Sequence, residues 1–144
     1  MTEVLQRVAA KALIVNDEGE VLILREAHTY EEGTNIGRYG LPGGRIEPSE
    51  KFFDALKREI MEETGLEVKP LRPIYVGEWF PTIKGVSNHI VAIFYACQAL
   101  TTDVKLSEEH DDHRWIVPES YASYDMMDPD WDVVKAWIAD LDRG

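Results

Sequence analysis

The run SNHIVAIFYACQAL, residues 87–100, constrains this chain more than any other segment. Its near-continuous apolar character predicts a strand buried on both faces, at the centre of a sheet that helices cover. The surrounding pattern supplies the rest of such a sheet. Residues 7–26 hold two β-rich runs around NDEG, a polar cluster ending in glycine, which reads as a hairpin. Residues 27–37 are polar and glycine-punctuated, hence a loop, followed by a short extended piece at 39–41. A helix is expected to start near Ser49 or Glu50, carry Phe52, Leu56 and Ile60 as its apolar row, and stop at Gly65. Residues 68–74 and 76–80 read as strands broken by Pro70, Pro73 and Pro81, and HRWIVP as a short strand ended by Pro118. Trp131, Val134, Ile138 and Leu141 recur at helical spacing after acidic capping residues, which predicts a terminal helix packed on the sheet. Strands in runs, with one helix in the middle and one at the end, favour an α/β/α sandwich with a mixed sheet between helices.

With 144 residues the chain is expected to form one domain over its whole length, large enough to bury a core without staples. It contains no internal repeat, linker or run approaching the length of a membrane span. The first residues carry an acid before the first base, and Lys11 interrupts their apolar run. They do not resemble a secretory signal, so the expected location is the cytoplasm. The single cysteine, Cys97, falls inside the central apolar run and is expected to be buried and inert.

A formal net charge of −12 argues against a nucleic-acid polymer as partner. Small phosphorylated ligands remain compatible with it if divalent cations stand between carboxylate and phosphate. The segment LPGGRIEPSEKFFDALKREIMEETGLEV, residues 41–68, shows where such cations would sit. At 100° per residue, with Glu59 set at 0°, Phe52 falls at about 20°, Glu63 at about 40°, Leu56 at about 60° and Ile60 at about 100°. Glu63 therefore points with the apolar row, while Glu62, at about 300°, lies on the other side of Glu59. Acids near a helix C-terminus oppose the macrodipole by roughly 0.3–1 kcal/mol each, and like charges three or four apart add further cost. Local stability does not explain the arrangement, whereas a hard divalent cation bound by carboxylates does. A solvated acidic helix end is the alternative reading of the same residues. The preceding PGG lets backbone pass close to a ligand or present a carbonyl, and Arg58 can pair with Glu50 only if Glu50 folds back from the loop side.

Read from Gly44, the segment runs Gly44, five residues, Glu50, seven residues, Arg58-Glu59-Ile60, one residue, Glu62-Glu63, one residue, Gly65-Leu66. This resembles the Nudix box at every specified position, and the expected strand order resembles the Nudix-type sandwich. The resemblance implies an enzyme that cleaves a phosphoanhydride bond in a nucleoside diphosphate linked to another moiety, using Mg²⁺ or Mn²⁺. It implies metal ligation by Glu59, Glu62, Glu63 and the Gly43 carbonyl, with Glu50 and Arg58 holding the loop and helix in shape. For the general base it points to Glu109, in LSEEHDDHRWI, with Glu63 as the other candidate. His110 and His113 are further candidates for contact with a base or phosphate.

Arg25, Tyr39, Gly44 and Trp79 are the expected substrate contacts, with Tyr30, Phe80, Lys84 and Asn88 as further candidates for stacking or polar contact. The substrate is left between a nucleoside triphosphate, as in MutT-like enzymes, and ADP-ribose. The position of Pro81, 15 residues beyond Leu66, is similar to that of a proline in ADP-ribose pyrophosphatases. A homodimer is a further implication of the resemblance. The competing class is a non-catalytic Nudix domain that senses a nucleotide or binds a protein; loss of box acids would favour it, and none is lost. A prenyl diphosphate isomerase would call for a reactive cysteine, and a structural Ca²⁺ protein for a DxDxDG loop, which is absent.

Overall fold

The computed structural model describes residues 3–143. The elements run β1 (Val4–Val15), β2 (Val21–Glu26), β3 (Tyr39–Gly40), β4 (Gly43–Arg45), α1 (Phe52–Thr64), β5 (Val68–Trp79), β6 (Thr82–Ile83), β7 (Val86–Ala99), β8 (His110–Ile116), a 3₁₀ turn (Pro118–Ser123) and α2 (Asp130–Asp142). The strands form one mixed sheet of order β3-β2-β1-β7-β5, with β4 paired to β1, β6 to β7 and β8 to β2. β7 is an interior strand, paired on both sides as its composition predicts, but one place in from the β5 edge, with β1 at the centre. It runs parallel to β1 from Val4↔Ser87 to Val15↔Gln98 and antiparallel to β5 from Val68↔Ala99 to Trp79↔Ile90. None of the described helices is long and apolar enough to cross a membrane.

Alternation along β1 divides the core in two. Ala9, Leu13 and Val15 face α2, where Val133, Val134 and Trp137 close one layer around Phe94. Ala10, Ala12 and Ile14 face α1, where Ala55, Leu56 and Ile60 close the other. The hairpin between β1 and β2 turns at Asn16, whose side-chain oxygen accepts the backbone N–H groups of Glu18 and Glu20 at 3.1 and 2.9 Å. Gly19 completes it at φ 77°, a conformation a side chain would resist.

Four local expectations are corrected. α1 starts at Phe52, not at Ser49 or Glu50, because Ser49 takes a left-handed φ of 66° and leaves Glu50 in the loop. The prolines do not split β5: the strand continues through register shifts at Pro70/Arg72 and Pro73/Tyr75, which an edge strand tolerates. β7 is sealed along its α2 face by Ile90, Ala92, Phe94 and Ala96, but on the other face only at its end, by Cys97 and Ala99; Val91, Ile93 and Tyr95 there are half-buried, since α1 covers only part of the sheet. Leu141 is exposed, so α2 packs through Val133, Val134 and Trp137 rather than through the whole expected row. Cys97 is fully buried, and burial pushes its thiol up to about 12, which leaves it inert at neutral pH.

Candidate functional site

The loop before α1 is held by one arginine. Arg58 donates from Nε to Glu50 Oε2 at 2.8 Å and from Nη2 to Glu50 Oε1 at 2.9 Å, the two-pronged geometry that the late helix start makes possible. Its Nη1 reaches Glu59 at 2.9 Å and Glu62 at 3.3 Å. Glu50 in turn accepts the Glu47 backbone N–H at 3.0 Å. The Arg58 guanidinium, with that N–H, holds the Glu50 carboxyl at about 2, far below the usual range.

Across the loop, β4 lies against β1 through Lys11↔Gly43 and Ala10↔Gly44. Gly43, at φ 141°, has no room for a side chain: a Cβ would sit 2.4 Å from the Ala10 carbonyl oxygen. Its N–H donates to Glu63 Oε1 at 2.8 Å. A Cβ on Gly44 would stand 2.5 Å from the Glu59 carboxylate, so glycine here lets Glu59 lie against the strand. Gly44→Ala is expected to keep the fold, because the displaced atoms are the free end of a side chain, and to weaken Mn²⁺ binding about tenfold or more as Glu59 is pushed aside. Calorimetric titration with Mn²⁺ checks this, and an unchanged affinity would count against Glu59 as a ligand.

These residues border a cavity of about 270 Å³ between the α1 end of the sheet and the start of α2. Glu59, Glu63 and Glu109 all line it. Glu63 is 5% exposed, and burial, reinforced by Glu109 and Glu59, pushes its carboxyl well above the ordinary range even though the Gly43 N–H opposes the shift. Burial also raises Glu59, against the pull of Arg58. Carboxylates that resist ionising beside one another fit a divalent cation, which would remove both the desolvation cost and the repulsion.

The expected site residues divide into two groups. Gly43, Gly44, Glu59, Glu63, Glu109 and Trp79 come together around the cavity, with Tyr30, Pro81 and His110. Glu62, exposed on the outer side of Arg58, Arg25 and Tyr39 do not line it. Arg25 is drawn to Asp111 at 2.6 Å, and the buried Tyr39 donates its hydroxyl to Asp112 and packs edge-on against Tyr124. Arg25 and Tyr39, expected as substrate contacts, thus lie outside the cavity lining, each with a polar group engaged within the protein.

Sequence reasoning missed Lys11 and Asp130 as cavity residues. Lys11 Nζ meets Asp130 Oδ2 at 2.8 Å, with side-chain exposures of 10% and 0%, and lies 5.5 Å from the Trp79 ring centre. Asp130 also accepts the Leu41 N–H at 2.7 Å, and its Oδ1 is sealed without a partner. The signal was present: a lysine at the core-facing phase of an apolar strand requires a buried acid somewhere.

Residues 5–138 match the NUDIX domain family. The chain is 34% identical over 128 residues to a nucleoside triphosphatase NudI of Escherichia coli O81 (strain ED1a), spanning 84% of this chain and 89% of that protein. It is 28% identical over 123 residues to a nucleoside triphosphatase NudI of Klebsiella pneumoniae (strain 342), spanning 78% and 84%. Among solved structures it resembles a MutT protein from Methanosarcina mazei Go1, with a TM-score of 0.83, 28% identity and coverage of 97% and 98%.

Proposed function

The chain belongs to the NUDIX family, and on that premise we propose that it is a cation-dependent hydrolase that cleaves a nucleoside triphosphate to a nucleoside monophosphate and pyrophosphate. The observation that carries this reading is the convergence of Glu59, Glu63 and Glu109 on one cavity beside the Gly43–Gly44 strand. The nucleoside triphosphatases among its relatives support the choice of substrate. Mg²⁺ or Mn²⁺, held there by these carboxylates, would neutralise triphosphate charge and lower the pKa of a water molecule at the site.

The chain's own residues supply position and proton transfer. Arg58, clamped to Glu50, fixes the loop and turns Glu59 toward the cavity. Gly43 aims Glu63 through its N–H, and its carbonyl is a further oxygen available to a cation. Glu109, carried on the backbone that pairs with Ala27, takes the proton of the attacking water. One P–O bond forms to the water oxygen, one bridging P–O bond breaks, and pyrophosphate leaves. The ring of Trp79 offers the base an apolar surface. Without a cation, a polyphosphate would face three carboxylates and be excluded.

A chromatographic panel with Mg²⁺ or Mn²⁺ tests the reading: common and oxidised nucleoside triphosphates, ADP-ribose, dinucleoside polyphosphates and nucleotide sugars, beside Glu62→Gln and Glu63→Gln. Release of a nucleoside monophosphate with pyrophosphate, lost in the Glu63 variant, is the expected result. AMP with ribose 5-phosphate from ADP-ribose would move the assignment to the reading that Pro81, in the cavity wall, had suggested. No turnover by the folded protein would favour a nucleotide sensor.

A further inference from the structure

β8 contains a β-bulge where it enters the site. Arg25 lies opposite Asp112 and Glu26 opposite His110, so Asp111 is the extra residue. Such an insertion reverses which face of the sheet the next side chain takes. Without it His110 would share a face with Asp112, which is tied to Tyr39 and Arg114. With it, His110 enters the cavity wall beside Glu26 and Glu109. There the ligand atoms of Glu63, Glu109 and His110 all lie within 4.8 Å of one another. The His110 Nδ1 is sealed from solvent and has no hydrogen-bond partner, an arrangement that is costly unless something at the site offsets it.

We propose that His110 supplies a nitrogen ligand to a divalent cation held by Glu63 and Glu109, so that this position takes a transition-metal ion of the manganese-to-cobalt class in preference to magnesium. The inference rests on reading the carboxylate cluster as a cation site. Oxygen ligands alone suit Mg²⁺, Ca²⁺ and Mn²⁺, whereas an imidazole in the set shifts preference along the first-row series, where affinity rises from Mn²⁺ toward Co²⁺. Glu109 can bind through one oxygen while the other remains available to the attacking water, so the proton-transfer role is compatible with ligation. His110 is the one histidine of the four in the chain that lines the cavity; His28, His89 and His113 do not.

The test uses the full-length protein, stripped of metal and without nucleotide. Mn²⁺ and Mg²⁺ are titrated by calorimetry into the wild type and His110→Leu, and the Mn²⁺-loaded wild type, with ¹⁴N- or ¹⁵N-labelled histidine, is examined by pulsed electron paramagnetic resonance. Expected are a histidine nitrogen coupling to Mn²⁺, and a loss of about 10–100-fold in Mn²⁺ affinity in His110→Leu against less than about threefold for Mg²⁺. If His110→Leu fails to fold, the nitrogen coupling in the wild type decides alone. Mn²⁺ bound without that coupling would overturn the histidine ligand and leave an all-oxygen cation site, and with it the proposed hydrolase, standing. If neither ion binds at millimolar concentration, the cation-site reading itself falls, and the inference with it.

Discussion

Glu63→Gln is expected to lower kcat by about 10³-fold, or about 4 kcal/mol of transition-state stabilisation, while leaving the protein as stable as the wild type or more so at neutral pH without metal. The glutamine side chain keeps an oxygen to accept the Gly43 N–H, so the loop stays anchored, but it carries no charge for a cation. The stability effect follows from the raised Glu63 carboxyl. In the unfolded chain this group ionises near its ordinary value of 4.5; in the folded, metal-free protein it holds its proton to higher pH. Between those two values the native state binds the extra proton, so native stability falls as pH rises through that window; below 4.5 both states are protonated and the difference vanishes. Thermal melts in chelator from pH 5 to 8.5 should therefore show the wild type losing ground to Glu63→Gln as pH increases. Adding Mn²⁺ should restore the wild type and do nothing comparable for the variant. Activity within tenfold of wild type, or parallel melting curves at all pH values, would remove Glu63 from the centre of the site.

The same residue shows what the sequence made legible. Glu63 points with the apolar row of α1 on a helical wheel, and it is buried; that placement was readable because helix periodicity is local. The pairing of Arg58 with Glu50 was readable as a possibility, but its geometry depends on where the helix begins. That start is set by the left-handed backbone at Ser49, which no propensity for serine predicts. The interior position of β7 followed from its composition, whereas its place beside the edge strand and its uneven burial depend on how the other strands and α1 are arranged, a tertiary fact. Arg25 and Tyr39 fall outside the cavity lining because residue type suggests what a side chain can do, not which partner reaches it first. Asp111 and Asp112 reach them first, across β2 and β8. His110 was visible as a loop histidine, but the bulge that aims it into the cavity is a matter of strand register.

The pair Lys11–Asp130 lay furthest from sequence reasoning, being 119 residues apart, and it carries the second large expectation. Asp130→Ala should destabilise the protein by about 3–5 kcal/mol, because it leaves the Lys11 ammonium buried without its counter-charge and the Leu41 N–H without its acceptor. For a chain of this size that is a fall of roughly 10–20 °C in Tm. Lys11→Met should cost a comparable amount, about 3 kcal/mol, since Asp130 would then be a buried carboxylate with one backbone donor. The double variant Lys11→Met, Asp130→Asn should be less damaged than the sum of Lys11→Met and Asp130→Asn, with a coupling of about 2–3 kcal/mol, because removing both charges removes the unpaired one and the asparagine oxygen can still accept from Leu41. Denaturant melts of the three variants and the wild type close the cycle. Strict additivity would mean that the two charges do not depend on each other and would dissolve the argument. The pair also ties the strand that carries Gly43 to the helix that closes the cavity: Lys11 lies opposite Gly43 in the β1–β4 register, and Asp130 holds Leu41, two residues before it. Weakened cation binding in Asp130→Asn, measured where the variant is still folded, would accordingly report the same contact from the side of the site.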